Sequence, residues 1–231
     1  MDVNARALAG IGPALDERGF ALAPGLLGAQ QCAHLRALYD DASRFRSRIV
    51  MQRHAFGRGE YKYFAHPLPP LVAALRERLY ASLAPIANTW MACMEIERRF
   101  PATHGEFLDE CAASAQTKPT ALLLKYEAGD YNCLHEDLYG PVVFPLQATI
   151  YLSRPGVEFD GGDVVLTERR PRKQVRAHVL SPRQGDLLVF ASHAAPQRSE
   201  RGIVRIYFKH GVSTVARGTR YTLGIIFHDA L

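Results

Sequence analysis

The amino-acid sequence predicts an α+β fold in which helices pack on a double-stranded β-helix, or jelly-roll, core. Apolar residues recur at helical spacing through much of the first half of the chain. From Thr120 onward, short strand-like runs alternate with turns that contain Gly or Pro. Many short strands separated by such turns are typical of sandwiches and jelly rolls. No alternation of strands and helices is present, which disfavours a parallel, doubly wound sheet.

The first part of the chain, residues 1–119, is predicted to be a helical extension that contains a short β segment and packs on the core. Its predicted helices cover residues 4–18, 29–42, 70–96 and 105–115. Gly19 ends the first helix, and the short strand is expected at residues 19–22, before Pro24. Pro85 lies inside the third helix and is expected to kink or divide it.

The second part, residues 120–231, is predicted to be the jelly-roll core, so that the whole chain forms one compact unit. Its length of 231 residues suits a single domain with an extension. The predicted strands of the core span residues 122–126, 143–152, 163–168, 186–191, 203–210 and 219–227.

Composition and charge exclude several classes of protein. No apolar run reaches the length needed to cross a bilayer, and Met1–Asn4 lacks the basic start and apolar block of a secretory signal. The cysteines form no Cys-x-x-Cys pair, which disfavours a zinc site or a disulfide framework. We therefore expect a cytoplasmic protein. Its net charge of +5 is compatible with nucleic acid as a partner, but charge alone does not select one.

The candidate metal ligands are two histidines and one aspartate. His135 and Asp137 are two residues apart, so on a strand both side chains leave the same face, whereas a helix would splay them by roughly 200°. His210 shares strand parity with Ile206 and Phe208, which directs it into the apolar face of its strand. A lone histidine there could be a core residue with satisfied nitrogens. Together with His135 and Asp137, it completes the set that holds iron(II) with open coordination positions.

Arg220 follows His210 by ten residues and is the candidate carboxylate-binding residue. It shares strand parity with Thr222 and Gly224, which suits a side chain reaching into a barrel. A guanidinium group presents a planar fork of N–H donors that matches a carboxylate.

These motifs resemble the iron(II)/2-oxoglutarate-dependent dioxygenase superfamily over residues 120–230. The matching positions are His135, Asp137, His210, Val212, Val215, Gly218 and Arg220. The resemblance implies that His135, Asp137 and His210 bind Fe(2+), and that Arg220 pairs with the 5-carboxylate of 2-oxoglutarate. It also implies that Tyr126, nine residues before His135, assists co-substrate binding. The implied reaction consumes O2 and couples decarboxylation of 2-oxoglutarate to hydroxylation of a C–H bond.

Further stretches resemble a bacterial group of these oxygenases that is predicted to oxidise modified nucleic-acid bases. They are residues 131–140, 144–147, 161–163 and 223–230. Hydroxylation of an N-methyl carbon would release formaldehyde, and the methylated or damaged base would thereby be demethylated. The runner-up substrates are a protein side chain, as in prolyl hydroxylases, and a small metabolite. A third hypothesis is a non-catalytic jelly-roll module that merely chelates metal, which Arg220 argues against because such a module needs no carboxylate-binding group.

Other residues compete for these roles. His193, with Arg205 twelve residues beyond it, could replace His210, but it lies in a predicted loop without the Val-x-x-Val-x-x-Gly-x-Arg continuation. Arg217 could replace Arg220, but it precedes Gly218 in a predicted turn. His228 is expected at the surface or behind the metal ligands.

Two basic runs are candidates for substrate binding, and each has an alternative explanation. Residues 44–64 interleave cations and aromatics and could lie over the barrel mouth, where they would contact phosphates and stack on a base. Alternatively, they could form a β-hairpin with a solvated basic face and its aromatics in the core. Residues 169–176 could bind phosphates, or could be a charged edge strand that prevents aggregation. The sequence leaves the oligomeric state open.

Overall fold

The computed structural model describes residues 8–200 and 202–231. Within these residues the chain forms four α-helices and fourteen β-strands. The helices are α1 (Ile11–Arg18), α2 (Ala29–Ala37), α3 (Pro70–Cys93) and α4 (His104–Ala113). The strands before residue 120 are β1 (Phe20–Ala23), β2 (Phe45–Val50), β3 (Gly57–Arg58) and β4 (Glu60–Phe64). The later strands are β5 (Leu122–Glu127), β6 (Tyr131–His135), β7 (Leu146–Tyr151), β8 (Phe159–Gly161), β9 (Val164–Arg169), β10 (Arg176–Leu180), β11 (Leu187–Ala191), β12 (Ala194–Ser199), β13 (Gly202–Val212) and β14 (Val215–Ile225).

The strands form two antiparallel sheets. The major sheet has the order β1-β11-β7-β14-β5-β4-β2, and β8 pairs with the first part of β14. The minor sheet has the order β10-β9-β13-β6-β3, and β12 pairs with the first part of β13. Sheet neighbours that are distant in sequence are typical of a jelly roll rather than a meander. The predicted α+β jelly-roll fold is confirmed.

Strand parity in the second half of the chain follows the predicted pattern. In β13, Ile206 and Phe208 are buried, whereas Arg205 and Lys209, which have the opposite strand parity, are exposed. All five residues of β11 are buried. They belong to the main apolar cluster, which also includes side chains of α3 such as Leu75 and Leu79. The helices therefore cover one side of the major sheet and leave its other side to face the minor sheet.

The helix ends follow local chemistry. α1 ends at Gly19, whose φ of 75° lies in the left-handed region and whose N–H donates to Leu15. α4 begins with a capping box in which Thr103 and Glu106 satisfy each other's backbone N–H groups. α3 continues through Pro85 as one 24-residue helix, so the predicted division there does not occur. Residues 4–7 of the first predicted helix lie outside the described residues.

The first 119 residues contribute more strand than the single short segment predicted for them. β1 pairs with β11 at one edge of the major sheet. β2 and β4 form a hairpin, and β4 pairs with β5. The connection between them crosses to the minor sheet, where β3 pairs with β6. Gly57 permits this crossing, because its φ is 127° and a Cβ there would lie 2.5 Å from the Tyr131 carbonyl oxygen. The domain boundary at residue 119 stays a prediction.

The hairpin alternative for the first basic run is what the structure shows. On its outer face Arg48 pairs with Glu60, and the Lys62 ammonium donates to the Tyr39 carbonyl oxygen at 2.8 Å. Tyr61 and Tyr63 point the other way and line the cavity between the sheets. The run therefore forms a sheet edge and also contributes two aromatics to the interior.

The second basic run forms a sheet edge. It leads into β10, which pairs with β9 at the edge of the minor sheet. Arg170 forms an ion pair with Glu168, and Arg169 lies over the Tyr207 ring, 4.7 Å from its centroid. These contacts match the charged-edge alternative.

None of the helices in the described part of the chain combines the length and apolarity that crossing a membrane requires.

A buried polar cluster anchors the C-terminal segment to α3 and α4. Arg76 is 1% exposed and donates to the Asp229 carboxylate at 2.6 Å and to the carbonyl oxygens of Ile226 and Phe227. His104 donates from Nε2 to the Phe227 carbonyl oxygen at 2.9 Å. Burial, and after it the charge of Arg76, lowers the pKa of His104 to about 4. His104 is therefore neutral in the folded protein at neutral pH.

This depressed pKa predicts acid sensitivity. The unfolded chain binds a proton at His104 below about pH 6.5, which the folded protein resists, so stability is complete above that pH and is lost as the pH falls toward 4. We expect the titration of His104 to lower the free energy of unfolding by about 2 kcal/mol when the pH falls from 7 to 5. In His104→Gln, an amide donor remains for Phe227 but does not titrate, so the loss should be smaller by that amount. Urea unfolding at both pH values measures it, and equal losses in the two proteins would contradict the prediction.

Candidate active site

The structure brings the three predicted metal ligands together. His135 is the last residue of β6, Asp137 lies two residues beyond, and His210 lies near the end of β13. One ligand atom from each residue can be chosen so that all three lie within 4.8 Å of one another. Asp137 Oδ2 is 3.2 Å from His210 Nε2, and Asp137 Oδ1 is 3.6 Å from His135 Nε2. Two imidazoles and one carboxylate at this spacing could hold a divalent metal ion.

Strand pairing sets the positions of the two histidines. His210 lies directly opposite His135 in the β13–β6 ladder, and their ring centroids are 4.1 Å apart. The register shifts after His210, so that Val212 faces Asn132. Such an irregularity is typical of strands that redirect side chains at a site.

Neighbouring groups orient the ligands. His135 Nδ1 is 2.8 Å from the Cys133 carbonyl oxygen and donates to it, which leaves the Nε2 lone pair available for a metal. The Tyr139 hydroxyl donates to Asp137 Oδ1 at 2.6 Å. The Gln147 amide nitrogen lies 3.4 Å from each ring nitrogen of His210, and the Phe190 ring packs against that imidazole at 4.8 Å.

The electrostatics of the cluster favour metal-binding protonation states. Burial opposes the charged form of Asp137, but His210, His135 and the Tyr139 hydroxyl outweigh it and hold the pKa of this carboxyl well below its usual range. Burial, and after it the charge of His210, lowers the pKa of His135. Burial, and after it the Asp137 charge, raises the pKa of Tyr139, which keeps the phenol protonated as a donor. Asp137 is thus an anion beside a neutral His135.

Arg220 lies on β14 in the major sheet and is 2% exposed. Its guanidinium carbon is 5.4 Å from the ring centroid of Tyr126 and 5.4 Å from that of Tyr151. Among the described residues, Arg220 Nη1 and the hydroxyls of both tyrosines are buried without a hydrogen-bond partner. Burial raises the pKa of Tyr126 to about 12, so its hydroxyl is a donor as well. An unsatisfied donor of the cation and two unsatisfied hydroxyls beside it could bind a carboxylate.

A cavity of about 360 Å³ between the two sheets contains both groups. The metal-ligand cluster and Arg220 each contribute to its wall. The rest of the wall includes a region of aromatic and aliphatic side chains that is formed by Tyr61, Tyr63, Leu122, Leu124 and Ile226. The cavity therefore offers a metal-binding part, a cationic part and an aromatic part.

The competing residues are engaged elsewhere. His193 lies outside the three-residue cluster, and its Nδ1 is 2.7 Å from Glu136 Oε2. Arg205 donates to the Met94 carbonyl oxygen at 2.6 Å. Arg217 is exposed and pairs with Asp160. His228 is 1% exposed, which contradicts a surface position, and its Nδ1 accepts the Phe144 N–H at 3.3 Å.

Several residues that contact the site, or hold a residue that does, have no role in the sequence-based prediction. They are Gln116, Tyr139, Gln147 and Tyr151. For Tyr139 the available signal was its position two residues beyond Asp137. Tyr151 shares strand parity with Gln147 and Thr149, which also line the cavity. Gln116 precedes β5 in a connecting segment, and no sequence signal marks it.

Comparison with known proteins identifies relatives across most of the chain. The family model Oxygenase-NA, described as an oxygenase catalysing oxidative methylation of damaged DNA, matches residues 59–230. Two relatives from Mycobacterium tuberculosis, the uncharacterized proteins Rv2227 and MT2286, are each 43% identical over 167 residues. The matched part is 72% of this chain and 72% of each relative.

Solved structures share the fold at low sequence identity. A Pseudomonas putida prolyl-4-hydroxylase has a TM-score of 0.58 and 17% identity, covering 97% of this chain and 100% of that one. An oxidoreductase of the 2OG-Fe(II) oxygenase family from Burkholderia pseudomallei has a TM-score of 0.56 and 16% identity, covering 100% and 96%. A Trichoplax adhaerens prolyl hydroxylase, in complex with a hypoxia inducible factor peptide, has a TM-score of 0.59 and 13% identity, covering 97% and 90%.

The geometry predicts which histidines bind metal. His135→Ala should weaken Co(II) binding by at least about 100-fold, since it removes a ligand, whereas loss of a supporting residue costs 10- to 100-fold. His193→Ala is the matched control, because it removes a nearby imidazole from outside the cluster, and its affinity should equal that of the wild type. Isothermal titration with CoCl2 measures both. Equal losses in the two variants would contradict the assignment of the ligands.

Proposed function

The chain belongs to the oxygenase family whose model it matches, and we propose that it is an iron(II)/2-oxoglutarate-dependent dioxygenase acting on methylated or damaged bases of DNA. Membership confirms the predicted enzyme class and the predicted resemblance to the group of oxygenases that act on nucleic acid. The substrate and the roles of individual residues are the proposal. The cytoplasmic location stays a prediction.

The observation that carries the proposal is that the cluster of two histidines and one carboxylate lines the same cavity as the buried Arg220. A site that only stored metal would gain nothing from a buried guanidinium. An arginine that only stabilised the fold would be paired with a carboxylate, and no ion pair within the described residues involves Arg220. A co-substrate that has a carboxylate and also binds a metal explains both features.

The residues fit both groups. Imidazole and carboxylate ligands with open positions suit iron(II). The unpartnered donors of Arg220, Tyr126 and Tyr151 suit a carboxylate, because leaving buried donors unsatisfied costs about 1–3 kcal/mol each. We propose that His135, Asp137 and His210 hold the iron, and that Arg220 and Tyr126, together with Tyr151, hold the distal carboxylate of 2-oxoglutarate.

Iron(II), O2 and 2-oxoglutarate supply the oxidation of a C–H bond to a C–OH group, with succinate and carbon dioxide as co-products. The protein orients the reactants and excludes water from the cavity. Tyr61 and Tyr63, whose rings meet edge to face at 5.4 Å, line the cavity and provide aromatic surface on which a planar base can stack. Hydroxylation of an N-methyl carbon gives a group that loses formaldehyde, which leaves the base unmethylated.

Removal of the Arg220 side chain should selectively weaken binding of the co-substrate. Arg220→Ala should raise the Kd for 2-oxoglutarate roughly 10- to 100-fold, because a charged hydrogen bond contributes roughly 1.5–3 kcal/mol. Co(II) affinity should be unchanged, since the metal ligands remain. Titration of the cobalt-loaded protein with 2-oxoglutarate measures the effect, and the exposed Arg217→Ala is the control. An unchanged Kd in Arg220→Ala would rule out this carboxylate site.

Turnover with different substrates tests the substrate class. Succinate formation from 2-oxoglutarate and iron(II) should increase several-fold when a methylated oligodeoxynucleotide is added, and not when the unmethylated oligodeoxynucleotide is added. Formaldehyde should accumulate in equal amount to the methyl groups lost. Stimulation by proline-containing peptides alone would favour the protein-hydroxylase alternative, and stimulation by neither would favour a small metabolite. Absence of succinate under all conditions would contradict the dioxygenase activity.

A further inference from the structure

We propose that Tyr139 is a positioning residue that makes Asp137 a one-oxygen ligand of the metal. The inference rests on the proposed function, since it concerns the same metal site. The Tyr139 hydroxyl donates to Asp137 Oδ1 at 2.6 Å, whereas Asp137 Oδ2 lies 3.2 Å from His210 Nε2. Oδ1 also lies 3.6 Å from His135 Nε2, so each carboxylate oxygen is near one predicted metal ligand. The two oxygens differ because Oδ1 is the one that accepts the phenol hydrogen bond.

This difference matters because a carboxylate can bind a metal through one oxygen or both. A second oxygen from Asp137 would occupy a position that this type of site keeps open for other ligands. A hydrogen bond to Oδ1 withdraws electron density from that oxygen and holds it away from the metal. Hydrogen-bonded partners of ligating carboxylates orient the ligand and tune the metal in this way.

The segment that carries Tyr139 is itself held in place by a buried amide. Gln116 is 1% exposed, and its Nε2 donates to the carbonyl oxygens of Tyr139 at 2.9 Å and Val142 at 3.0 Å. Its Oε1 accepts the Val142 N–H at 2.8 Å. The Gln116 side chain thus forms hydrogen bonds with the backbone on both sides of Gly140 and fixes the position of the Tyr139 backbone.

Gly140 makes this close packing possible. Its φ is 92°, and a Cβ at this position would lie 2.6 Å from the Gln116 side-chain carbon Cδ. Only glycine meets both requirements without strain. Gln116 therefore holds the loop that carries Tyr139, and the Tyr139 hydroxyl in turn contacts the Asp137 carboxylate.

The alternative role for Tyr139 is packing alone. Its ring packs against the apolar cluster of Tyr63, Leu122 and Ile226. Tyr139→Phe separates the two roles, because phenylalanine keeps the ring and removes the hydroxyl. A packing role predicts no change at the metal, whereas the positioning role predicts altered coordination in a protein that is otherwise folded as the wild type.

The experiment is Co(II) titration of the full chain, followed by visible absorption, whose intensity and band positions depend on coordination number and geometry. We expect Tyr139→Phe to change the spectrum and to lower Co(II) affinity roughly 10-fold. The thermal unfolding midpoint should stay within about 4 °C of the wild-type value, as expected for a change of less than about 1 kcal/mol. Tyr131→Phe, which removes an exposed hydroxyl from β6, should match the wild type in every measurement.

The outcomes separate two failures. A wild-type protein that binds no Co(II) would overturn the proposed function and this inference with it. A wild-type protein that binds Co(II), with a Tyr139→Phe variant identical in spectrum and affinity, would overturn the inference alone and leave the metal site intact.

Discussion

The site depends on the antiparallel register of β13 and β6, which places His210 opposite His135. β13 lies inside the minor sheet, between β9 and β6, so its position is fixed from both sides. Gly211 lets the strands approach at the irregularity, because a Cβ there would lie 2.7 Å from the Asn132 carbonyl oxygen. A slip of one residue would turn His210 to the opposite face of the sheet and dismantle the metal cluster. Backbone pairing between β13 and β6 therefore sets the relative positions of the two histidine side chains.

Two equally buried arginines show how the protein separates stability from function. Arg76 and Arg220 are 1% and 2% exposed. Arg76 has a counterion, Asp229, at 2.6 Å, and it also donates to backbone carbonyls at the C-terminal segment. Arg220 has neither kind of partner among the described residues and lies between two tyrosine rings in the cavity. Because an unpaired buried charge is costly, this environment supports the proposed binding of an anionic ligand at Arg220.

Much of the site was predictable because its signals are local. Strand parity directed His210 inward, and the spacing of His135 and Asp137 directed both side chains to one face. The ten-residue step to Arg220 spans the turn between β13 and β14, so it too is set by neighbouring sequence. Gln116 and Tyr151 were not predictable in this way, because their roles come from contacts between segments far apart in the chain. Gln116, for example, acts on residues 23 and 26 positions downstream.

The sequence by itself determined the fold class, since periodicity is a property of consecutive residues. Together with the family resemblance, its spacing also predicted the metal ligands and the carboxylate-binding arginine that we propose. Only the tertiary structure decided that residues 44–64 form a hairpin in which Arg48 pairs with Glu60 on the outer face while Tyr61 and Tyr63 line the cavity. It also decided that Arg220 has no counterion among the described residues and that the Tyr139 hydroxyl donates to Oδ1 of Asp137. Burial and pairing are relations between distant segments, and the packing of the two sheets establishes them.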